Sequence, residues 1–201
     1  YIIGVLNPKK YSLALSHKAF YEIIFNAVKQ PTTFCKRVRG VFYDRMSNVI
    51  SESEAVEILT QNRPFILKPT IETSTGKNVV KVSELCDLQK IFDALGNDFI
   101  AQEVIEQSTQ TSILNPTSLN TIRISSLYIN GQFSIANIVV RMGVSGSVVD
   151  NLGAGGLMLG VRDDGTFYEY AYDSDYEKHY DNAGVVFKGL GFKNIDYIKS
   201  F

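Results

Sequence analysis

Two β-branched runs, Ile122 to Ile129 and Gln132 to Met142, are separated only by Asn130-Gly131. Asn and Gly both accept the positive φ angles of a two-residue turn, so this stretch must fold back on itself as an antiparallel hairpin. A second strand, loop and returning strand is spelled out by Pro64-Phe-Ile-Leu-Lys68-Pro-Thr-Ile-Glu-Thr-Ser-Thr-Gly76-Lys77-Asn-Val-Val-Lys-Val82. A framework with two such hairpins is built on antiparallel sheet.

The loop of the second hairpin is chemically specific. Small hydroxylated residues and a glycine let backbone N–H groups approach phosphate oxygens without side chains in the way. It is neither G-x-x-x-x-G-K-[ST] nor a glycine-rich dinucleotide fingerprint, so a nucleotide held here needs a different grip. The competing reading is a surface hairpin whose lysine points outward.

The chain has 201 residues, 45% of them hydrophobic and 20% charged, which suffices for one substantial core or two small ones. A net charge of −1 without basic runs argues against nucleic acid as a partner. No segment reads as a membrane span or a signal peptide. Cys35 and Cys86 fit no metal spacing and read as buried reduced thiols, in keeping with a cytoplasmic setting. The chain opens on Tyr1 rather than Met, which suggests a fragment.

Helical spacing predicts one amphipathic helix over 12–29, ending before Pro31, and another near 51–61 with Ser51 and Glu54 as a capping box. A strand is expected over 38–43, a helix from an N-cap at Ser83 to Leu95 with Gly96 beyond it, and an apolar run from Asp98 to Ile105.

Arg123 and Arg141 fall within otherwise apolar alternation, where a charge needs a partner. A bound carboxylate or phosphate suits the planar guanidinium fork, and an internal salt bridge is the alternative. Asn120 follows a Pro-Thr-Ser loop and could either pin that turn or touch a ligand. Asp150-Asn151, beside Gly153 and Gly155-Gly156, offers oxygens for Mg²⁺ or donors for phosphate, or else Asx bonds within a glycine-rich turn. Five tyrosines from Tyr168 to Tyr180 form either a partner or sugar-stacking surface or an aromatic strand edge, while Asp173 and Asp175 read as a solvated face.

Asn115-Pro-Thr-Ser-Leu-Asn120-Thr-Ile-Arg123, Arg141-Met-Gly143 and Val149-Asp150-Asn151-Leu-Gly-Ala-Gly155-Gly156 together resemble the sugar-transfer-associated ATP-grasp family, in order and spacing, from about His17-Lys18 to Asp164-Gly165. The resemblance implies an α+β ATP-grasp fold of antiparallel sheets with helices. Its parts would be an entry segment (1–30), a small phosphate-covering lobe (31–100) and a larger lobe (101–201). ATP and Mg²⁺ are the implied cofactors. Lys18, Lys68, Ser74, Thr75, Gly76 and Lys77 correspond to the phosphate grip, although His17 replaces the usual acid before Lys18. Gln102, Glu103, Val104, Ile105 and Glu106 correspond to the hinge that meets adenine and ribose, with Asn120 and Asn151 as further ligand contacts.

In this resemblance Arg123 and Arg141 act on the transferring phosphoryl group or the acceptor carboxylate, and Asp150 is a candidate metal ligand. The family's metal-binding Glu-x-Asn does not occur in the sequence, so the fold is expected to be truncated at its C-terminal metal strands, with the main ligands beyond Phe201. The implied activity is ATP-dependent activation of a carboxylate as acylphosphate for attack by an amine, in extracellular or capsular polysaccharide synthesis. A small-molecule carboxylate or a sugar-linked acceptor would be the substrate. Two other readings stay open: a catalytically incomplete nucleotide- or sugar-precursor-binding module beside a glycosyltransferase, and a small-molecule kinase.

Overall fold

The computed structural model describes residues 13–71, 78–144, 146–147 and 150–200. The chain divides into two compact units, Tyr1–Ile105 and Glu106–Phe201. A boundary after residue 100, as the sequence suggested, would cut through a strand that stays whole in the first unit.

The first unit begins with 3₁₀ turns at Leu13–Ser16 and Lys18–Phe20 and a single α turn, α1 (Tyr21–Ile24). The continuous helix expected over 12–29 is therefore not formed. His17 is extended between the two 3₁₀ turns, and Lys18 N–H bonds to the Thr70 carbonyl 52 residues away instead of to a preceding turn. A tertiary anchor thus overrides the local apolar period.

Next come β1 (Thr33–Val38), β2 (Val41–Asp44), β3 (Val49–Ile50), α2 (Glu52–Gln61), β4 (Phe65–Pro69), β5 (Val80–Val82), α3 (Leu88–Leu95) and β6 (Phe99–Glu103). The strand expected over 38–43 is in fact a hairpin, because Arg39 (φ 51°) and Gly40 (φ 83°) turn the chain between β1 and β2. α2 carries the anticipated capping box: Ser51 Oγ accepts from Glu54 N–H, and the Glu54 carboxylate accepts from Ser51 N–H. α3 starts later than expected, capped by Asp87 rather than Ser83, and ends at Gly96 (φ 76°).

The sheet order is β3-β2-β1-β6-β4-β5, with every pairing antiparallel. Its core face packs Cys35, Phe65, Leu67 and Phe99 against Ala55 and Leu59 of α2 and Phe92 of α3. Burial pushes the Cys35 thiol up to about 12. Cys86, expected to be buried, is exposed.

The second unit holds α4 (Thr109–Ser112), β7 (Thr121–Ile129), β8 (Gln132–Met142), β9 (Leu157–Val161), β10 (Phe167–Tyr172), β11 (Lys178–His179), the short pair β12 (Asp181–Asn182) and β13 (Val185–Val186), and α5 (Ile195–Lys199). Its five-stranded sheet runs β11-β10-β9-β8-β7, again antiparallel throughout. Ile138, Val140, Met142, Leu159 and Phe167 point to one face, where Leu114, Phe187 and Ile195 cover them. The antiparallel α+β architecture read from the sequence is the one observed.

The β7–β8 hairpin turns at Asn130 (φ 53°) and Gly131 (φ 79°). A Cβ on Gly131 would meet nothing within 4 Å, so Gly131→Ala introduces only backbone strain. The variant should lose about 1–2 kcal/mol of stability in urea unfolding, the cost of placing an L-residue in left-handed backbone.

Candidate functional site

In β4 the side chains of Phe65 and Leu67 enter the core, so the alternation turns Lys68 to the opposite face. There it lies opposite Ile100 of β6, which pairs in turn with Lys36 of β1. Lys68 is half-buried, and no carboxylate among the described residues pairs with it. Burial, and then the charge of Lys18, hold its ammonium below the usual lysine value, and burial lowers Lys18 as well. Two half-buried lysines repelling each other form a site that an anion would stabilise.

The same corner contains orphaned polar atoms. Thr70 Oγ1 and His17 Nδ1 are shut away from solvent without hydrogen-bond partners among the described residues. A buried polar atom without a partner is costly, and a phosphate could satisfy both. Ser74, Thr75, Gly76 and Lys77 lie outside the described residues.

The hinge candidates are partly committed to the fold. Gln102 Nε2 donates to the Pro31 carbonyl and Thr33 Oγ1, and the Glu103 carboxylate accepts from Thr32 N–H at 2.9 Å. Both side chains thereby tie β6 to the chain entering β1. Val104, Ile105 and Glu106 follow as half-buried or exposed backbone with no backbone hydrogen bond to a described residue, the condition an adenine edge requires.

In the second unit, Asn120 is a buried pin. Its amide donates to the carbonyls of Thr111 and Asn115, both at 2.8 Å, and its oxygen accepts from Ser118 Oγ. Ser118 Oγ accepts from Gly143 N–H, while Asn115 and Asn182 both donate to the Gly143 carbonyl. The Asn115-Pro-Thr-Ser-Leu-Asn120 loop is thus bolted onto the end of β8, which holds Arg141 in place. Of these bolts the sequence singled out Asn120 alone. Asn182 carried no local signal.

Register places Thr121, Arg123, Val139 and Arg141 on the face of this sheet opposite the core. Arg141 Nη2 lies 3.4 Å from Asp150 Oδ1, and Thr121 Oγ1 donates to the other oxygen of that carboxylate. The internal salt bridge weighed for the arginines is therefore present at Arg141. Even so, Arg141 Nε is buried without a partner among the described residues. Arg123 is exposed, with no carboxylate paired to it among the described residues. Asn151 caps the turn at Leu152–Ala154 through Gly153 N–H, and Gly156 is required there because a Cβ would sit 2.7 Å from the Asp150 carbonyl.

The model of the sugar-transfer associated ATP-grasp family matches residues 90–200. The chain belongs to that family. No curated protein matches it. Membership makes this an ATP-binding, ligase-like fold, and the matched span carries the hinge candidates Gln102 to Glu106, Asn120, both arginines and Asp150-Asn151, while Lys18 and Lys68 precede it. For a triphosphate the residues fit: Lys68 is half-buried with the charge of Lys18 near it, and Thr70 and His17 hold buried polar atoms without hydrogen-bond partners among the described residues. For Mg²⁺ they fit poorly. Asp150 already holds Arg141 and Thr121, and among the described residues no three His, Cys, Asp or Glu side chains gather to hold a metal. Among those residues no helix is long and apolar enough to cross a membrane.

Asp173, read as part of a solvated face, organises a turn. It accepts from His179 Nε2 at 2.8 Å and from the N–H groups of Asp175 and Glu177, contacts that hold its carboxyl below the usual range, His179 first.

Proposed function

We propose that this ATP-grasp domain activates a carboxylate as its acylphosphate, ready for displacement of phosphate by an amine, in the assembly of extracellular or capsular polysaccharide. Lys68, half-buried and with no carboxylate paired to it among the described residues, carries the reading, because a cation in that position is stabilised by a polyanion. Lys18 and the loop Ser74–Lys77 complete the grip on ATP, and the backbone of Val104 to Glu106 takes the adenine edge. Arg123 and Arg141 neutralise charge on the transferring phosphoryl group or hold the acceptor carboxylate, a positioning and electrostatic role.

In the activation step the carboxylate oxygen attacks the γ-phosphorus, the bond to the β-phosphate oxygen breaks, and ADP leaves. Hydroxylamine then serves as a surrogate amine: its nitrogen displaces phosphate and leaves a hydroxamate. Incubation of the chain with ATP, hydroxylamine and a panel of sugar acids and amino acids should give hydroxamate in step with ADP. ADP formed with phosphate transferred to a hydroxyl, and no hydroxamate, would instead indicate a kinase. ATP binding without turnover of any acceptor would favour a precursor-binding module working beside a glycosyltransferase.

A further inference from the structure

On the open face of the second unit's sheet, away from the Gly143 end of β8, a cleft of about 600 Å³ opens beside Asn137, Val139, Gly160, Arg162, Asp164 and Tyr168. That volume suits a small-molecule site. Gly160 lies inside β9, a strand flanked on both sides, where glycine weakens a sheet. Its backbone has no left-handed angle that would call for glycine. What the missing side chain permits is the approach of Tyr168, since a Cβ on Gly160 would lie 2.6 Å from the ring's Cδ2.

The pairing of β10 with β9 is irregular between Phe167 and Ala171, and this bulge sets Tyr168 over Gly160. The arrangement does not bury the ring, which stays 44% exposed. The Arg162 guanidinium carbon sits 4.5 Å from the ring centroid and is tied behind by Nη1 donating to the Phe167 carbonyl and Thr166 Oγ1. Ring and guanidinium are therefore positioned before any ligand arrives. Asn137 is exposed, and its carboxamide has no partner among the described residues.

The charges narrow the ligand class. Among the lining side chains Arg162 is balanced by Asp164, which feels its charge, and Asp163 is paired with Lys199 at 3.5 Å, so the lining itself is close to neutral, with Arg123 standing beside it opposite Val139. A wholly apolar ligand would strip water from the Asn137 carboxamide, which has no partner among the described residues. A ring carrying hydroxyls meets donors, acceptors and an aromatic edge together. We infer that this cleft is a subsite for the pyranose ring of a neutral sugar. That the sugar belongs to the acceptor rests on the ligase-like reading above, whereas its binding does not.

The test titrates methyl glucoside, methyl galactoside, methyl mannoside and N-acetylglucosamine separately into the isotope-labelled full chain while following amide shifts. At least one sugar should shift Asn137, Gly160, Arg162 and Tyr168 saturably at millimolar concentration. Gly160→Ala, which displaces the ring, and Asn137→Ala, at an exposed position, should each weaken that binding about tenfold. No saturable shift from any of the four sugars, or shifts that survive both variants, would overturn the subsite. An ATP analogue titrated into the same samples separates the two readings. Sugar binding without nucleotide binding would sink the ligase-like reading alone, and nucleotide binding without a sugar response would sink the subsite alone.

Discussion

Lys68→Ala is expected to weaken binding of a non-hydrolysable ATP analogue by roughly 1.5–3 kcal/mol, about 10- to 150-fold, the worth of a charge-assisted contact in a partly desolvated site. The size follows from the setting of Lys68, half-buried opposite Ile100 with Lys18 repelling it and, among the described residues, no carboxylate paired to it. The pH dependence has a definite sign. Lys68's proton is held less tightly than at the ordinary value of 10.5, so a bound polyanion restores it and takes up a proton. Affinity should be full below the lowered pKa and decline as pH rises through it, at a pH below 10.5. Stability of the unliganded chain should move the other way. Between the lowered and the ordinary value the unfolded chain binds the extra proton, so folding is favoured as pH rises across that window. Lys68→Ala should flatten both profiles, and calorimetry and urea unfolding across pH would measure them.

Asn120→Ala should be the most damaging change to the second unit outside its apolar core. The Thr111 and Asn115 carbonyls would each lose a 2.8 Å donor, and the Ser118 hydroxyl its acceptor, in a setting closed to water. Each stranded group costs roughly 1–3 kcal/mol. Urea midpoints should fall with little change in slope if the fold survives, since the exposed surface on unfolding is unaltered. The loop also positions the end of β8, so an assay that depends on Arg141 should suffer alongside stability. A midpoint within error of the unaltered chain would show that the Asn120 network does not hold the loop.

What could be read from the residues alone follows from how local each signal is. Asn130-Gly131 and the Ser51/Glu54 box are satisfied by neighbouring backbone, and both appear as read. The helix expected over 12–29 failed because Lys18 N–H is claimed by Thr70, a contact no local window contains. Arg39-Gly40 turns the chain with an arginine at positive φ, which the strand pattern of 38–43 concealed. At the site, Arg123 and Arg141 stood out as charges in apolar alternation, and Lys68 as a lysine closing an apolar run before a loop of small residues. The bonds of Glu103 to Thr32 and of Asn182 to Gly143 depend on partners dozens of residues away and had no sequence signature.

The most direct test of the central claim is calorimetric titration of the chain, and of Lys68→Ala, with a non-hydrolysable ATP analogue in the presence of Mg²⁺. Micromolar binding by the unaltered chain and a loss of 10-fold or more in the variant is the expected result. No binding by the unaltered chain, or equal affinity in both, would contradict the assignment of Lys68 to a nucleotide phosphate.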